Sequence, residues 1–509
     1  MSLRRATGRG TAWAFIGYLA HYGVTFVFTV ITARLLSPEV FGIMGLAVVV
    51  IAVGTLLADS GTQAALVHRE DDDDLDVAVN TALISVPLAG LGAAALGIAA
   101  APLLAWFYGE SQVFAVAALL SGVLFVRSFG LVPDALLQRR LQFKWRRAVV
   151  DPLAAFVGGA TATILALAGA GVWSLVAMWY ANTLTVVLGS WFLVRYRPRL
   201  RLASFAMWRQ LAHYGRNILG AHTVQLAFGY LDTLTGGRSL APTFVGWYGA
   251  ATRLAILPAQ ATTYVAGAAL FPAFSRMRDD VPRLRAAFLE AIRYIALLAF
   301  PLFAILAVIS EPFVVVLFGE QWRPTGPVLA VMMLWVLPLS LFEPSMELFK
   351  AIGQPGRVFR LAIVKFVSFA IYLAIIWGLD WITLERVAAG LGLSAAIGLA
   401  FTVPGVCRAT GATPAQLWRA VRPAVGGALI SAAAMYAFSW TVLGDIEDHR
   451  TLFGVDLGPV VPILLMALVA AVGVVVFALA VEVLDRGSLR RLRTQGSAIF
   501  GRSGATAGS

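Results

Sequence analysis

"ARLLSPEVFGIMGLA" occupies residues 33–47, and 204 positions later, in the same ungapped register, residues 237–251 read "GRSLAPTFVGWYGAA". Six of the fifteen positions are identical: Arg34 and Arg238, Leu36 and Leu240, Pro38 and Pro242, Gly42 and Gly246, Gly45 and Gly249, Ala47 and Ala251. A composition rich in Ala, Leu and Gly gives roughly one or two such matches by chance. The same offset aligns "AAL" at 64–66 with "AAL" at 268–270, so the similarity outlasts the turn. A repeat of this length is far longer than a solenoid unit and implies two homologous halves of one body.

Composition fixes the kind of body. With 60% hydrophobic and 13% charged residues over 509 positions, and a mean hydropathy of +0.82, the chain lacks the polar surface that a soluble globule needs. It reads as an integral membrane protein. A span takes about 20 apolar residues to cross roughly 30 Å of hydrocarbon, and fourteen stretches qualify: 11–33, 40–66, 77–106, 113–135, 148–168, 172–194, 210–234, 243–271, 284–309, 327–349, 358–379, 387–406, 423–444 and 459–484. The first is too long for a signal-peptide core and has no clear small-residue cleavage site, so it is read as retained. Helix-stopping punctuation falls between the stretches, as in "LLSPE", "FYGES", "SLAP", "RPTGP" and "GQPG". The single cysteine, Cys407, offers no intrachain disulfide and no metal or redox site.

Basic residues set the orientation. With the N-terminus in the cytoplasm, 29 of the 39 Lys and Arg collect on that side, including "RRLQFKWRR" at 139–147, "RYRPRLRL" at 195–202, "RMRDDVPRLR" at 276–285 and "RGSLRRLR" at 486–493. The opposite loops hold five, Arg34, Arg238, Arg323, Arg386 and Arg450. This is the positive-inside asymmetry of a chain with both termini cytoplasmic. The acidic inner loop "HREDDDDLD" at 68–76 does not overturn it, because Asp and Glu contribute little to that rule. These anchors also account for the net charge of +12 without nucleic acid.

The repeat offset spans six helices, an even number, so both halves enter the membrane in the same direction. Parallel repeats of this kind build transporters whose halves rock about a central site. The duplicated stretch then joins the first helix to the second and the seventh to the eighth. Pro38 and Pro242 fix its backbone, and Gly42 and Gly246 allow close helix approach.

Four longer stretches carry a family resemblance: "ARLLSPEVFGIMGLA", "ADSGTQAALVHRED", "RRLQFKWRRAVVDPLAAFVGGATATILALAGAGVWSLVA", and "LDTLTGGRSLAPTFVGWYGAATRLAILPAQATTYVAGAALFPAFSRM". Over roughly residues 10–420 the chain resembles the polysaccharide flippases of the Wzx, colanic-acid type. These belong to the MOP superfamily, with the MATE exporters and the lipid II flippase. The resemblance implies an all-α membrane protein of about fourteen helices, in two parallel-related six-helix bundles with two C-terminal helices added. The expected division is one bundle over 1–209, the other over 210–420, two further helices within 421–485, and a basic cytoplasmic tail over 486–509. It also implies movement of an undecaprenyl-diphosphate-linked oligosaccharide from the inner to the outer leaflet of a bacterial inner membrane, by alternating access. The other expected partners are membrane lipids and the polysaccharide polymerase and export machinery.

Such a substrate needs a hydrated, cationic cavity, and an isolated charge inside the membrane costs at least about 2.5 kcal/mol, so each one is a candidate. The cations within the spans are Arg127, Arg216, Arg253, Arg293 and Lys365. Diphosphate capture suits guanidinium groups, which match phosphate oxygens two at a time. Snorkelling to an interface is the alternative, and it is hardest for Arg253, about 15 Å below the outer end of its helix. The carboxylates are Asp59 in "LLADSGTQ", Asp232 in "GYLDTLTGG", and Glu343 and Glu347 in "LFEPSMELFK". Each is a candidate for H⁺ or Na⁺ coupling, or else a structural partner of an Arg. Glu343 and Glu347 share one helical face, with Pro344 between them.

Weaker signals lead elsewhere. "DDDD" at 71–74 reads as a solvated charge run, and His21 and His222 as packing residues rather than proton relays. No phosphate loop, metal-spaced group or Ser/His/Asp set is visible, so the chain reads as a transporter without a cofactor or metal and not as an enzyme. A MATE-like drug exporter would expect an acidic cavity and fits five intramembrane cations poorly. A glycan polymerase or ligase would expect an extended outer segment, and Ser310 to Gly326 is short and apolar.

Overall fold

The computed structural model describes residues 3–59, 62–68, 74–139, 145–440, 451–452, 455–456 and 460–485. It divides into two compact units, Met1–Gly249 and Ala250–Ser509. This division falls later in the chain than the boundary expected at 209/210.

The first unit is built from α1 (Leu3–Leu35), α2 (Pro38–Asp59), the short α3 (Thr62–His68), α4 (Leu75–Tyr108), α5 (Ser111–Arg139), α6 (Asp151–Leu167), α7 (Val172–Val194) and α8 (Phe205–Ser239). A single π-turn at Arg146–Val150 leads into α6. The stretch expected as one span at 40–66 is thus two helices, α2 and α3. Helix α4 packs along α5 and α2, α7 along α5 and α6, and α1 along α6. The chain between α7 and α8 is held against α4 by polar contacts. Asn80, fully buried, donates to the Tyr196 hydroxyl at 2.8 Å and accepts from the Arg199 backbone N–H at 2.6 Å. Burial, and after it Asp76, pushes the Tyr196 phenol above its ordinary range.

The two copies of the duplicated stretch have one design. Both preceding helices stop at equivalent residues, Leu35 and Ser239, and both following helices start on proline, Pro38 and Pro242. Proline suits that first helical position, where its missing N–H has no intrahelical partner to lose. Equivalent backbone bonds close the two helix ends, Leu36 N–H to Thr32 O at 2.9 Å and Leu240 N–H to Gly236 O at 2.8 Å. The copies also pack on each other. A Cβ on Gly42 would land on the carbonyl oxygen of Pro242, and a Cβ on Gly246 on that of Pro38. The close approach expected of these glycines is therefore an approach of each turn to its own duplicate.

Helix α9 (Pro242–Arg276) leads into the second unit, which contains α10 (Val281–Val308), α11 (Ser310–Phe318), α12 (Thr325–Ala351), α13 (Pro355–Gly378), α14 (Leu384–Thr410), α15 (Pro414–Phe438) and α16 (Val460–Leu484). Between the last two helices, Thr451–Leu452 pairs antiparallel with Val455–Asp456. Helix α12 packs on α10 and α14, α13 on α14, and the final pair α15 and α16 on each other and on α10. Ser431 of α15 donates to the Gly473 carbonyl of α16 at 2.7 Å, and Met435 is fully buried beside it. The segment expected as an outer loop is structured. Arg323 reaches Glu311 of α11 at 2.9 Å and Glu320 at 2.6 Å.

Among the described residues, eleven helices are long and apolar enough to cross a membrane. The other three expected spans fall on α1, α8 and α9, of 33 to 35 residues each, parts of whose side chains lie outside the described residues. The chain is an all-α, multi-pass membrane protein.

Candidate substrate and coupling residues

Two of the expected site residues, Asp59 and Arg216, and one histidine read as a packing residue, His222, lie outside the described side chains. The remaining candidates separate by what surrounds them.

Arg127 in α5 and Arg253 in α9 carry exposed side chains well inside long apolar helices. Arg253 stands eleven residues past Pro242, which is about 16 Å along the axis. A guanidinium at that depth, exposed and unable to snorkel easily, is suited to meet an anion.

Arg293 in α10 has a different setting. It forms an ion pair with Asp485, immediately beyond the end of α16. This pair ties the first long helix after α9 to the end of α16 and neutralises the charge expected to meet substrate.

Lys365 and Glu343, assigned by sequence to two separate sets, are brought together. Lys365 lies ten residues past Pro355, about 15 Å into α13, deeper than its expected span implied. Its ammonium sits over the ring of Phe342 of α12, 4.6 Å from the centroid. Its stem fills the place of a side chain that Gly398 of α14 lacks, since a Cβ there would be 2.6 Å from Lys365 Cγ. The carboxylate of Glu343, next to Phe342, is within electrostatic reach of the ammonium. Helix α12 supplies the ring and the acid, α13 the cation, and α14 the space. Two turns toward the start of α13, Arg357 repeats the arrangement, its guanidinium 5.6 Å from the centroid of Phe349 and donating to the Gly405 carbonyl at 3.3 Å.

The other two carboxylates are committed locally. Glu347 accepts from Lys350 of its own helix at 2.6 Å. Asp232 is buried among hydrogen-bond donors. It accepts from the Tyr248 hydroxyl at 2.7 Å and from the Thr233 backbone N–H at 2.6 Å. Tyr248 therefore fastens α9 to α8. His21 of α1 places Nδ1 3.0 Å from the carbonyl oxygen of Asp151.

Sequence reasoning missed one cluster altogether. Arg146, counted among the cytoplasmic anchors, points inward at the π-turn and meets Asp134 of α5 at 3.1 Å, Asp151 of α6, and Ser190 of α7 at 3.0 Å. Ser190 also donates to Asp134 at 2.6 Å. The available signal was the pair of acids flanking a basic run. Nothing local distinguished Arg146 from its neighbour Arg147, whose side chain is 64% exposed.

With the geometry in place, comparison with known proteins gives a consistent picture. A family model described as polysaccharide biosynthesis protein matches residues 31–327, and one described as lipid II flippase MurJ matches residues 215–446. The chain is 26% identical to the succinoglycan biosynthesis transport protein ExoT of Rhizobium meliloti, over 95% of this chain and 94% of that protein. It is 25% identical to the lipopolysaccharide biosynthesis protein WzxC of Escherichia coli, over 72% and 74% of the two chains. Among solved structures, lipid II flippase MurJ in an inward closed conformation aligns with a TM-score of 0.72 over 94% of this chain and all of that one, at 13% identity. An inward-facing MATE family transporter of the MOP superfamily aligns with a TM-score of 0.57 over 79% of this chain and 99% of that one, at 16% identity. Matched over more than half its length, the chain belongs to the polysaccharide biosynthesis protein family and has the MOP-superfamily fold of MurJ and the MATE transporters.

Proposed function

We propose that this chain is a flippase that carries an undecaprenyl-diphosphate-linked oligosaccharide from the inner to the outer leaflet of a bacterial inner membrane. The observation that carries the reading is similarity along nearly the whole chain to a succinoglycan biosynthesis transport protein, on a flippase fold. The exposed intramembrane cations Arg127 and Arg253 suit a diphosphate headgroup whose polyprenyl tail stays in lipid. A drug-exporter reading has only fold likeness behind it, at 16% identity. In the proposed orientation both termini are cytoplasmic, as the charge asymmetry implies.

The test is transbilayer movement in vesicles containing the purified protein and a lipid-diphosphate oligosaccharide, read by access of an impermeant reagent to the glycan. Protein-dependent movement is expected, and in cells loss of the protein should leave lipid-linked repeat units on the cytoplasmic face. Repeat units that reach the outer face unpolymerised would instead favour a polymerase. A reporter fused after residue 509 should be active only in a cytoplasmic format, and one inserted at 445–457 only in an external format.

A further inference from the structure

We propose that the linker between α7 and α8, residues 195–204, is a binding surface for the phosphate headgroups of anionic phospholipids, held in shape by Asn80 and Thr81 of α4. The inference goes beyond the transport reading and does not depend on which substrate moves.

The linker reads "RYRPRLRLAS", with Arg195, Arg197, Arg199 and Arg201 at every second position, all of them exposed. Among the described residues no carboxylate forms an ion pair with any of the four. Water alone would satisfy such charges, but it would not satisfy Leu200, Leu202, Phe205 and Trp208, which are exposed among and just after them. Cations interleaved with apolar and aromatic side chains suit the boundary where phosphate headgroups meet acyl chains. Successive arginines are two residues apart, up to about 7 Å along an extended chain. That spacing serves the headgroups of neighbouring lipids, whereas a single diphosphate, whose two phosphates share an oxygen, calls for a tighter cluster.

The linker is also a built surface. Asn80, fully buried, donates to the Asp76 carbonyl at 2.7 Å and the Tyr196 hydroxyl at 2.8 Å, and accepts from the Arg199 backbone N–H at 2.6 Å. The Thr81 hydroxyl accepts from the Ser204 backbone N–H at 2.9 Å. Val194 and Met207, on either side of the linker, are buried in one apolar core with Ala78, Val79 and Ala82 of α4. The main chain is thus pinned while the four arginine side chains stay exposed. A topological anchor acts through its charge in any conformation, so it does not account for the pinning. A headgroup site does, because cations already in place lose less entropy on binding. Arg195 adds to this, since it ends α7 at φ 47°, in the left-handed region where glycine is unstrained and arginine is not. Charge is retained there against the preference of the backbone.

Lipid binding to the full-length protein gives the test. Purified protein in neutral detergent is titrated with phosphatidylglycerol and with phosphatidylcholine, and bound lipid is read by native mass spectrometry. The parent should prefer phosphatidylglycerol by at least about tenfold. Arg197→Gln/Arg199→Gln/Arg201→Gln should bind the two lipids within about twofold of each other, with an unchanged melting temperature in phosphatidylcholine nanodiscs. Arg276→Gln/Arg278→Gln/Arg283→Gln removes the same charge elsewhere and should keep the preference. An equal loss in this second triple variant would mean that total charge attracts the lipid, and would overturn the proposal. Asn80→Leu keeps every arginine and removes the pin, so it should lose the preference too. Thr81→Val, which gives up only the Ser204 contact, reads the same effect in a milder form if Asn80→Leu folds poorly. A parent that binds both lipids equally, or pin variants that bind like the parent, would overturn the proposal. Undecaprenyl diphosphate is titrated alongside: a first triple variant that loses this lipid and keeps phosphatidylglycerol would make the linker a substrate-loading surface instead.

Discussion

Gly42 and Pro242 touch so closely that any side chain on Gly42 would occupy the position of the Pro242 carbonyl oxygen, and Gly246 stands in the same relation to Pro38. The contact is reciprocal, as in a two-fold interface between identical patches. Gly42→Ala or Gly246→Ala should each lower stability by about 1–3 kcal/mol, the usual cost of forcing a methyl into a close-packed contact. Because either change separates the same two turns, the double variant should cost clearly less than the sum. Thermal melting of purified protein in detergent measures all three. Additive losses would mean that the two contacts are independent.

Under the proposed function Arg253, eleven residues into α9, is the first candidate for the diphosphate contact. Arg253→Ala should cut movement of lipid-diphosphate oligosaccharide by at least about tenfold, and Arg253→Lys should recover part of it, since the ammonium keeps the charge and loses the paired donors. Membrane abundance should stay near that of the parent. Normal transport by well-expressed Arg253→Ala would move the site to Arg127.

Arg146 holds two acids, and its side chain and those of Asp134 and Asp151 are 13%, 21% and 15% exposed. Removing the cation leaves Asp134 without its ion-pair partner and Asp151 with only the exposed Arg147, 3.5 Å away. Arg146→Ala should therefore destabilise by about 3–5 kcal/mol, and abundance should fall with activity. Arg147→Ala, one residue on and exposed, should change stability by less than about 1 kcal/mol.

The Arg293–Asp485 pair predicts a rescue. Arg293→Asp and Asp485→Arg should each lower the melting temperature, and the combined swap should restore it and restore transport. A swap that melts normally but moves no substrate would return Arg293 to the set of diphosphate contacts.

What the sequence determined by itself is what does not depend on how helices face one another. Hydropathy and length placed the chain in a membrane, because twenty apolar residues span hydrocarbon whatever their neighbours. The duplicated stretch declared two homologous halves, and its prolines and glycines marked helix starts and a close contact, because backbone geometry is written locally. The same approach failed for the partners of charged groups. Glu343 and Lys365 lie on different helices, and Asp485 lies just past a helix other than that of Arg293, while Arg146 and Arg147 are adjacent and share Asp151 yet are 13% and 64% exposed. Lipid is as apolar as leucine, so hydropathy does not choose which face of a membrane helix turns inward; close packing of small residues and hydrogen bonds does. Gly398, beside the stem of Lys365, is one such residue, and only the assembled helices show what it makes room for.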